Sequence, residues 1–367
     1  MNRRRLPGAF IHMILMVSLA SCEITEEVLP DKEPEPVLPT VKDKGERGLS
    51  VVGSTFTLPD EQELEESLLA GSNEGQIVID WEKVDSSGIL SFEQLDPVME
   101  KCAEGNLPVT LVYNPISRNK VSIPHDLGGR DWSDTELRER FADLLYQVYY
   151  RYPTVDVNRV ILGEEVDILL KENQIEWASY TDFFAYSREI IKSYYGSALV
   201  VGASTSFSGI NLLETKDLAL ALHDEADIVS ISYFPRNRDY TFRSVLHVTR
   251  DMEYLAAISG SKKVFFQECG YPSAVSCNSS EEMQRQFVAE VFRGWDLYDD
   301  AIQGIHFTWL KDKSNTEAVK ILEESGMSES IYVSRFVDFL KSSGLQDNQS
   351  EKPAMQQLKL EAGARGW

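Results

Sequence analysis

The chain has 367 residues, of which 43% are hydrophobic, which is enough for one large core and short for two comparable domains. It carries 59 Asp and Glu residues against 36 Lys and Arg residues, a formal net charge of -23. This charge repels nucleic acid phosphates and anionic lipid surfaces, so we exclude nucleic acid and expect a neutral or cationic partner.

The N-terminus has the pattern of an export signal. Three arginines at positions 3–5 precede an apolar run over residues 9–17, which is too short to span a bilayer, and small residues follow. The four residues 19–22 (LASC) resemble a bacterial lipobox, which implies cleavage before Cys22 and attachment of a lipid such as palmitate to it. The alternative is an ordinary cleavable signal that contains a Cys. We expect a lipoprotein signal peptide over residues 1–21 and an anchor in the bacterial cell envelope, at the outer membrane or cell surface.

The next segment differs in composition from the rest of the chain. Residues 22–48 are rich in Glu, Asp and Lys, contain four prolines and lack apolar periodicity. Such a segment is typical of an extended, self-repelling tether. We therefore expect a flexible tether over 22–48, one folded domain over 49–342 and a polar, flexible C-terminal tail over 343–367.

The cysteines and acids give no support for a metal or a cofactor. Cys102, Cys269 and Cys277 remain beside Cys22, and the spacing of Cys269 and Cys277 would allow a loop disulfide that the sequence does not establish. The chain has no CxxC pair and no HExxH motif. Acidic residues near predicted strand ends, at 80, 164 and 167, lack the repeated spacing of a calcium loop, so we expect no metal and no cofactor.

The body of the chain alternates between two patterns. From residue 49 onward, short β-branched runs alternate eight times with amphipathic helical stretches, as expected for buried parallel strands with crossover helices. This predicts an α/β fold, a single-domain (β/α)8 TIM barrel. The alternative is a doubly wound open sheet, but no GxGxxG follows the first strand. The predicted strands cover 50–57, 76–81, 109–114, 158–163, 198–203, 228–234, 263–267 and 304–309. The predicted helices cover 60–70, 93–104, 135–150, 182–195, 212–223, 242–259, 281–297 and 329–341.

Two of these helices start with a recognisable capping pattern. Ser133 with Glu136, and Ser279 with Glu282, have the spacing of capping boxes, in which side chains bind the first free amides of a helix. We expect them to begin the third and seventh helices.

Acidic residues follow the fourth and seventh predicted strands. The fourth ends in Gly163-Glu164-Glu165, and the seventh ends in Gln267-Glu268. Because a (β/α)8 barrel carries its reacting groups at the carboxyl ends of its strands, Glu165 and Glu268 should lie across the barrel mouth from each other. Two such carboxyl groups can flank a glycosidic bond, and a separation of about 5 to 5.5 Å would give retention of configuration. The alternative is that these acids cap helices or pair with nearby Lys and Arg residues.

Three segments carry a family resemblance that covers residues 49–342. Residues 163–167 (GEEVD) and 266–273 (FQECGYPS) resemble the acid/base and nucleophile segments of the retaining glycosidase clan with catalytic carboxylates on strands four and seven. Residues 227–235 (DIVSISYFP) resemble the sixth strand of endo-β-1,4-galactanases, and the clan also holds mannanases. The resemblance implies Glu165 as acid/base, Glu268 as nucleophile and Tyr233 as a phenol that orients the nucleophile.

The sequence departs from this clan at two points. Glu164 stands where the clan has an Asn that contacts the sugar 2-hydroxyl. A Glu can still accept a hydroxyl hydrogen bond, but a second carboxylate beside Glu165 would raise its pKa. The arginine that many members carry near strand two has no recognisable counterpart in the sequence.

Aromatic and amide residues complete the predicted mouth of the barrel. Trp309 ends the eighth strand, Trp81 ends the second and Asn114 ends the third. Flat rings suit the apolar faces of pyranoses, and amides suit their hydroxyls. For Trp81, packing in the core is an equal alternative. The long third loop, 116–132, could cover the cleft.

These patterns predict a monomeric retaining glycoside hydrolase that cleaves a β-linked polysaccharide or oligosaccharide, and an open barrel mouth favours internal cleavage. The first alternative is a surface glycan-binding lipoprotein whose barrel has lost efficient catalysis, which Glu164 would favour. A second alternative is an aldolase or metal-dependent hydrolase. The sequence speaks against it, because no strand-end Lys suits a Schiff base and no strand-end His pair suits a metal.

Overall fold

The structure, a computed structural model, describes residues 41–53, 61–324, 332–347 and 349–367. The predicted signal peptide, Cys22 and the tether up to residue 40 lie outside these residues. No helix in the described part of the chain combines the length and the apolar character needed to cross a bilayer. The described residues fall within a single compact unit, as expected for one domain.

Eight parallel strands form a sheet that curls on itself. They are β1 (Gly48–Val52), β2 (Gly75–Ile79), β3 (Val109–Ser117), β4 (Val157–Glu164), β5 (Val200–Ser206), β6 (Ile228–Tyr233), β7 (Lys263–Cys269) and β8 (Ile302–Thr308). Their order is β1-β8-β7-β6-β5-β4-β3-β2, so the first strand pairs with the last. The strands are apolar and largely buried because helices cover their outer faces. The predicted (β/α)8 barrel is confirmed.

Helices follow the strands around the barrel. They are α1 (Glu61–Leu69), α2 (Asp96–Glu104), α3 (Thr135–Arg151), α4 (Gln174–Tyr195), α5 (Leu213–Asp224), α6 (Val248–Ile258), α7 (Glu281–Leu297), α8 (Asn315–Glu324), α9 (Val333–Leu340) and α10 (Pro353–Ala364). Short helical turns cover Trp81–Val84, Asp167–Leu170 and Phe207–Asn211, and 3-10 turns cover His125–Leu127, Val245–His247 and Val275–Cys277. Two small hairpins pair Asp85–Ser86 with Ile89–Leu90, and Lys120–Val121 with the end of β3.

The helix starts differ from the predictions at several places, by three residues at α2, six at α6 and eight at α4. The caps of α3 and α7 are Asp134 and Ser280, whose side chains accept from the amides of Leu137 and Met283, so both capping predictions were one residue early. Helix α4 begins at Gln174 because the Asn173 side chain accepts from an amide of its first turn. Helix α8 was not predicted. Residues 329–331 of the predicted last helix lie outside the described residues.

The predicted flexible tail was wrong, because its last part is a packed helix. Pro353 occupies the first turn of α10, a position that favours proline. Met355, Leu358 and Ala362 lie on one face of α10 and are buried in the same core cluster as residues of α7. This stripe at helical spacing is the signal that the polar composition of the segment concealed.

The folded domain also begins before residue 49, within the segment that was predicted to be a tether. Arg47 is 5% exposed, and its Nη1 donates to Asp296 Oδ1 at 3.0 Å. Arg365, after α10, donates to the Asp296 carboxylate through Nε and Nη2. One buried carboxylate on α7 therefore binds both ends of the described domain.

A charged cluster lies inside the barrel near the amino ends of its strands. Glu74, just before β2, accepts from Arg159 Nη1 at 3.2 Å and lies 2.6 Å from His306 Nε2. Burial raises the pKa of Glu74, but Arg159, His306 and Asn158 outweigh it and bring the value to about 2. The cluster needs Gly48, because a Cβ there would lie 2.3 Å from the Glu74 carboxyl carbon. We call Glu74, Arg159 and His306 the lower cluster.

Candidate active site

A cavity of about 450 Å³ opens at the carboxyl ends of the strands, as the barrel fold requires of an active site. Glu164, Glu165, Glu268 and Asn114 line it together with Trp309. Five of the seven predicted catalytic and substrate-binding residues therefore meet in one cavity, and Tyr233 and Trp81 do not.

The backbone at the end of β4 brings two neighbouring acids into the same cavity. Successive residues of a regular strand point to opposite faces. Here Gly163 has φ 78° and Glu165 has φ 45°, which breaks the alternation. A residue with a side chain does not fit at position 163, because its Cβ would lie 2.5 Å from the Tyr180 hydroxyl. A positive φ at a non-glycine residue costs energy and is concentrated at functional sites. The same is seen at Arg118, which also lines the cavity and has φ 57°.

Arg118 joins the three carboxylates. It lies in the tight turn between β3 and Lys120–Val121, and its amide donates to the Glu164 carbonyl at 2.7 Å. Its Nη2 donates to Glu268 Oε2 at 2.9 Å, and its Nε donates to Glu164 Oε1 at 2.9 Å. Its contact with Glu165 Oε2 is longer, at 3.4 Å from Nε. We call Arg118, Glu164, Glu165 and Glu268 the upper cluster.

The upper cluster has more carboxylates than cations, which decides where protons reside. Burial raises the pKa of Glu165, and Glu164 raises it further against the opposing effect of Arg118 and Arg236. Burial likewise raises the pKa of Glu268, to about 8. Arg118 makes short hydrogen bonds to Glu164 and Glu268, whereas its contact with Glu165 is longer. Of the two groups with a raised pKa, Glu165 therefore has the longer contact with this cation, so Arg118 displaces its proton less strongly than that of Glu268.

The end of β6 corrects the role predicted for Tyr233. The Tyr233 hydroxyl donates to Asp251 Oδ2 at 2.8 Å, and its ring stacks against Phe266 and Phe287 on the helix side of the sheet. Tyr233 therefore does not orient Glu268. Strand alternation turns the neighbouring Ser232 inward, and its Oγ donates to Glu268 Oε2 at 3.1 Å. The hydroxyl that orients the nucleophile candidate was predicted one residue away from its actual position.

The two tryptophans have different environments. Trp309 lines the cavity, and Lys313 Nζ lies 4.9 Å from the centre of its ring. Trp81 is fully buried, packs against Phe141 and donates from Nε1 to Asp85 Oδ2 at 3.2 Å. The prediction of Trp81 as a sugar platform was wrong, because the short turn after β2 directs its ring into the core between barrel and helices.

Two polar acceptors in the cavity lack a hydrogen-bond partner among the residues that the structure describes. Asn114 Nδ2 donates to Glu164 Oε2 at 3.3 Å, but within the described residues Asn114 Oδ1 accepts no hydrogen bond. The same holds for Gln267 Oε1, beside Glu268 on β7. Buried polar atoms are normally paired, so these two oxygens are suited to accept hydrogen bonds from a ligand. Hydroxyl groups would meet that requirement.

Two other acids near the site already have hydrogen-bond partners. Asp167 accepts from the amide and hydroxyl of Ser206, and Asp80 accepts from Ser122 Oγ. Among the residues that the structure describes, no group of three or more His, Cys, Asp or Glu has a metal-binding arrangement. The buried thiols of Cys269 and Cys277 are not bonded to each other.

Comparison with known proteins gave matches at the level of structure. No protein-family model matches the chain, and no curated protein matches it. A GH5_18 protein from Bifidobacterium longum, crystallised with Manβ1-4GlcNAc, has a TM-score of 0.66 at 13% identity over 86% of this chain and 78% of its own. An exo-β-1,4-mannosidase from an Opitutaceae bacterium has a TM-score of 0.63 at 13% identity, over 88% of this chain and 60% of its own.

A third match shares nearly its full length with this chain. The GH53 catalytic domain of Ignisphaera aggregans has a TM-score of 0.59 at 14% identity, over 89% of this chain and 98% of its own. These likenesses confirm, at the level of fold, the predicted resemblance to (β/α)8 glycoside hydrolases.

Proposed function

We propose that this protein is a retaining glycoside hydrolase that cleaves a β-linked glycan, with Glu165 as acid/base and Glu268 as nucleophile. One observation carries the proposal. Carboxyl groups from β4 and β7, on different sides of the barrel, contact a single guanidinium in a cavity that also holds a tryptophan. Paired carboxyl groups in a sugar-sized cavity are what glycosidic bond cleavage requires.

The first chemical step requires a proton on Glu165 and Glu268 as the carboxylate, so Glu268, whose pKa is raised to about 8, must lose its proton before it attacks. Glu268, as carboxylate, attacks the anomeric carbon while Glu165 transfers its proton to the departing glycosidic oxygen. The bond from carbon to the leaving oxygen breaks as the bond to Glu268 forms. Ser232 and Arg118, which donate to Glu268, hold its oxygens in place before the attack.

The second step reverses these roles. Glu165, now a carboxylate, takes a proton from water, and the water oxygen attacks the anomeric carbon. Glu268 departs as a carboxylate, and the product has the configuration of the substrate. Arg118 contacts the carboxyl groups of both Glu165 and Glu268, so it can stabilise the negative charge on either of them.

The structural neighbours support β-linked glycans as the first substrates to test. One was crystallised with a β-1,4-linked mannosyl disaccharide, and another is an exo-β-1,4-mannosidase. Mannosides therefore belong in a substrate panel beside galactans, xylans and glucans. Internal cleavage stays a prediction, and the sizes of the products test it.

The full-length protein should be incubated with such a panel and the first product examined by NMR. We expect release of the β-anomer from at least one substrate. In the same assay Glu268→Gln should lower turnover on the order of 10⁴-fold while sugar binding persists, since this variant lacks the attacking group. Normal turnover in that variant would remove Glu268 from the mechanism, and an α-anomer as first product would refute retention.

A second candidate function rests on Glu164. Its carboxylate accepts from Arg118 Nε, Asn114 Nδ2 and Ser117 Oγ, and so occupies groups that could otherwise serve the reaction. This favours a glycan-binding protein without efficient catalysis. Binding to one glycan of the panel, without release of reducing ends from any, would select this function over hydrolysis.

A further inference from the structure

The wall of the cavity is basic although the chain as a whole is acidic. Apart from the upper cluster, the charged residues that line the cavity are the cations Lys83, Lys120, Lys171, Arg236, Lys313 and Lys320 and the acids Asp80 and Glu317. Over the whole chain, acids outnumber cations by 59 to 36. The cavity wall therefore has the opposite charge balance to the rest of the protein.

These cations come from separate loops, so their clustering is not a consequence of one basic segment. They follow β2, β3, β4, β6 and β8. Loops at the carboxyl ends of the strands are the part of a barrel that determines what it binds. Low-dielectric cavity walls also concentrate the field of such charges toward a ligand. The net charge of the chain predicts a neutral or cationic partner, but the local charge at the site predicts the reverse.

Arg236 is placed to bind an anion beside the reacting groups. It follows β6, is partly exposed, and its guanidinium lies 4.8 Å from the centre of the Tyr240 ring. Among the described residues, neither Arg236 nor Lys171 forms a salt bridge, whereas Lys83 pairs with Asp80 and Lys120 with Glu82. A planar guanidinium fixed on an aromatic ring can bind a carboxylate or sulfate through two parallel hydrogen bonds.

Lys313 provides a second charge on another side of the cavity. It follows β8, is 2% exposed, and its ammonium lies over the ring of Trp309. Burial lowers the pKa of Lys313 to about 8, with Glu317 acting in the opposite direction. A sugar that stacks on Trp309 would lie next to this ammonium.

We propose that the cavity selects an anionic glycan, one whose sugars carry a carboxylate or a sulfate, with Arg236 as a specificity-determining residue. The proposal rests on the proposed hydrolase function and names the class of its substrate. A neutral glycan would have to displace water from the partly exposed Arg236 without pairing with it, which weakens binding. A glycan with a negative group restores those interactions.

The test compares matched ligands by calorimetry in the Glu268→Gln variant, which holds substrate without cleaving it. The pairs are β-1,4-mannuronate tetraose against β-1,4-mannotetraose, and β-1,4-glucuronate tetraose against cellotetraose. A 6-O-sulfated cellotetraose separates recognition of sulfate from recognition of carboxylate. We expect the anionic member of at least one pair to bind at least about tenfold more tightly, because a charge-assisted hydrogen bond contributes about that much.

Adding Arg236→Gln should remove most of this preference, and Arg236→Lys should retain part of it. Arg250→Gln is the matched control, because Arg250 is exposed on α6 and the charge change is the same. Equal or tighter binding of the neutral members overturns the proposal, and so does a preference that Arg236→Gln leaves intact. Absence of binding by every probe also overturns it.

Wild-type turnover of the same glycans separates this proposal from the proposed function. Anionic preference in binding without any hydrolysis would support the substrate class and refute the hydrolase. Hydrolysis of neutral and anionic members at equal kcat/KM would support the hydrolase and refute the substrate class.

Discussion

The barrel holds two buried charged clusters, one toward each end, and they differ in balance. In the lower cluster one carboxylate, Glu74, contacts the buried cation Arg159 and a histidine. In the upper cluster three carboxylates contact one cation, Arg118. Glu74 and Glu268 are equally buried, each 4% exposed. The pKa of Glu74 is nevertheless lowered and that of Glu268 is raised, because burial outweighs the neighbouring cations only at Glu268.

Burial alone therefore does not decide what a buried acid does in this protein. The ratio of cations to carboxylates decides it. A balanced cluster keeps its carboxylate charged and stabilises the fold, whereas an unbalanced one holds protons near neutral pH that can be exchanged with a ligand. We expect the lower cluster to contribute to stability and the upper one to activity.

The largest expected effect follows from removing the charge of the lower cluster. Glu74→Gln leaves Arg159 buried without its carboxylate, and breaking such a buried pair costs about 3 to 5 kcal/mol. We expect the free energy of unfolding, measured by urea denaturation at pH 7, to fall by that amount. Glu104→Gln, an exposed site on α2, should change it by less than about 0.5 kcal/mol. Equal effects from the two variants would contradict a stabilising role for the lower cluster.

The pH dependence of stability should have opposite signs in the two clusters. The folded-state pKa of Glu74 is about 2, below its ordinary 4.5, so its contribution is present above pH 4.5 and is lost as pH falls toward 2. The folded-state pKa of Glu268 is about 8, so the folded wild type binds this proton more tightly and loses stability as pH rises from 4.5 to 8. Relative to wild type, Glu268→Gln should gain stability over that range.

The comparison also shows what the sequence could and could not predict. Strand periodicity predicted the barrel and therefore which end of each strand meets the cavity. That is why the sequence predicts Glu165 and Glu268 at the same end of the barrel, where both line the cavity. Arg118 was missed because it lies in a turn after β3, and only the folded chain brings that turn 2.7 Å from the Glu164 carbonyl.

The errors at single residues come from local backbone geometry. Ser232 and Tyr233 are neighbours on β6 and point to opposite faces of the sheet. A motif resemblance does not determine which of the two side chains points into the barrel. The lower cluster was not predicted, because Glu74, Arg159 and His306 are far apart in sequence and follow no motif. Charges that pair across a barrel leave no periodic signal.

The third prediction concerns the single cation of the upper cluster. Arg118→Gln should lower kcat/KM by about 10²- to 10³-fold, comparable to the loss of one preorganised electrostatic contact. Arg118 lowers the pKa of both Glu165 and Glu268. In Arg118→Gln the acid limb of the profile of kcat/KM against pH should therefore move to higher pH. A purely structural defect would lower activity without moving that limb.

Arg130→Gln provides a matched control for this variant. Arg130 lies in the same loop as Arg118 but pairs with Asp134 and Glu136 at the start of α3. Its replacement should leave both kcat/KM and the pH profile unchanged. If the two variants behave alike, the loss reflects disturbance of the loop rather than loss of the shared guanidinium.

The smallest expected effect, and the most specific one, comes from Glu164. Its charge raises the pKa of Glu165 and of Glu268, so Glu164→Gln should make both groups easier to ionise while it keeps the size of the side chain. Both limbs of the profile of kcat/KM against pH should then move to lower pH, because that profile reports the groups of the free enzyme. Glu172→Gln, an exposed site in the loop after β4, should move neither limb. An unmoved profile in Glu164→Gln would contradict the role given to Glu164, because its charge would then not raise the pKa of Glu165 or Glu268 in the free enzyme.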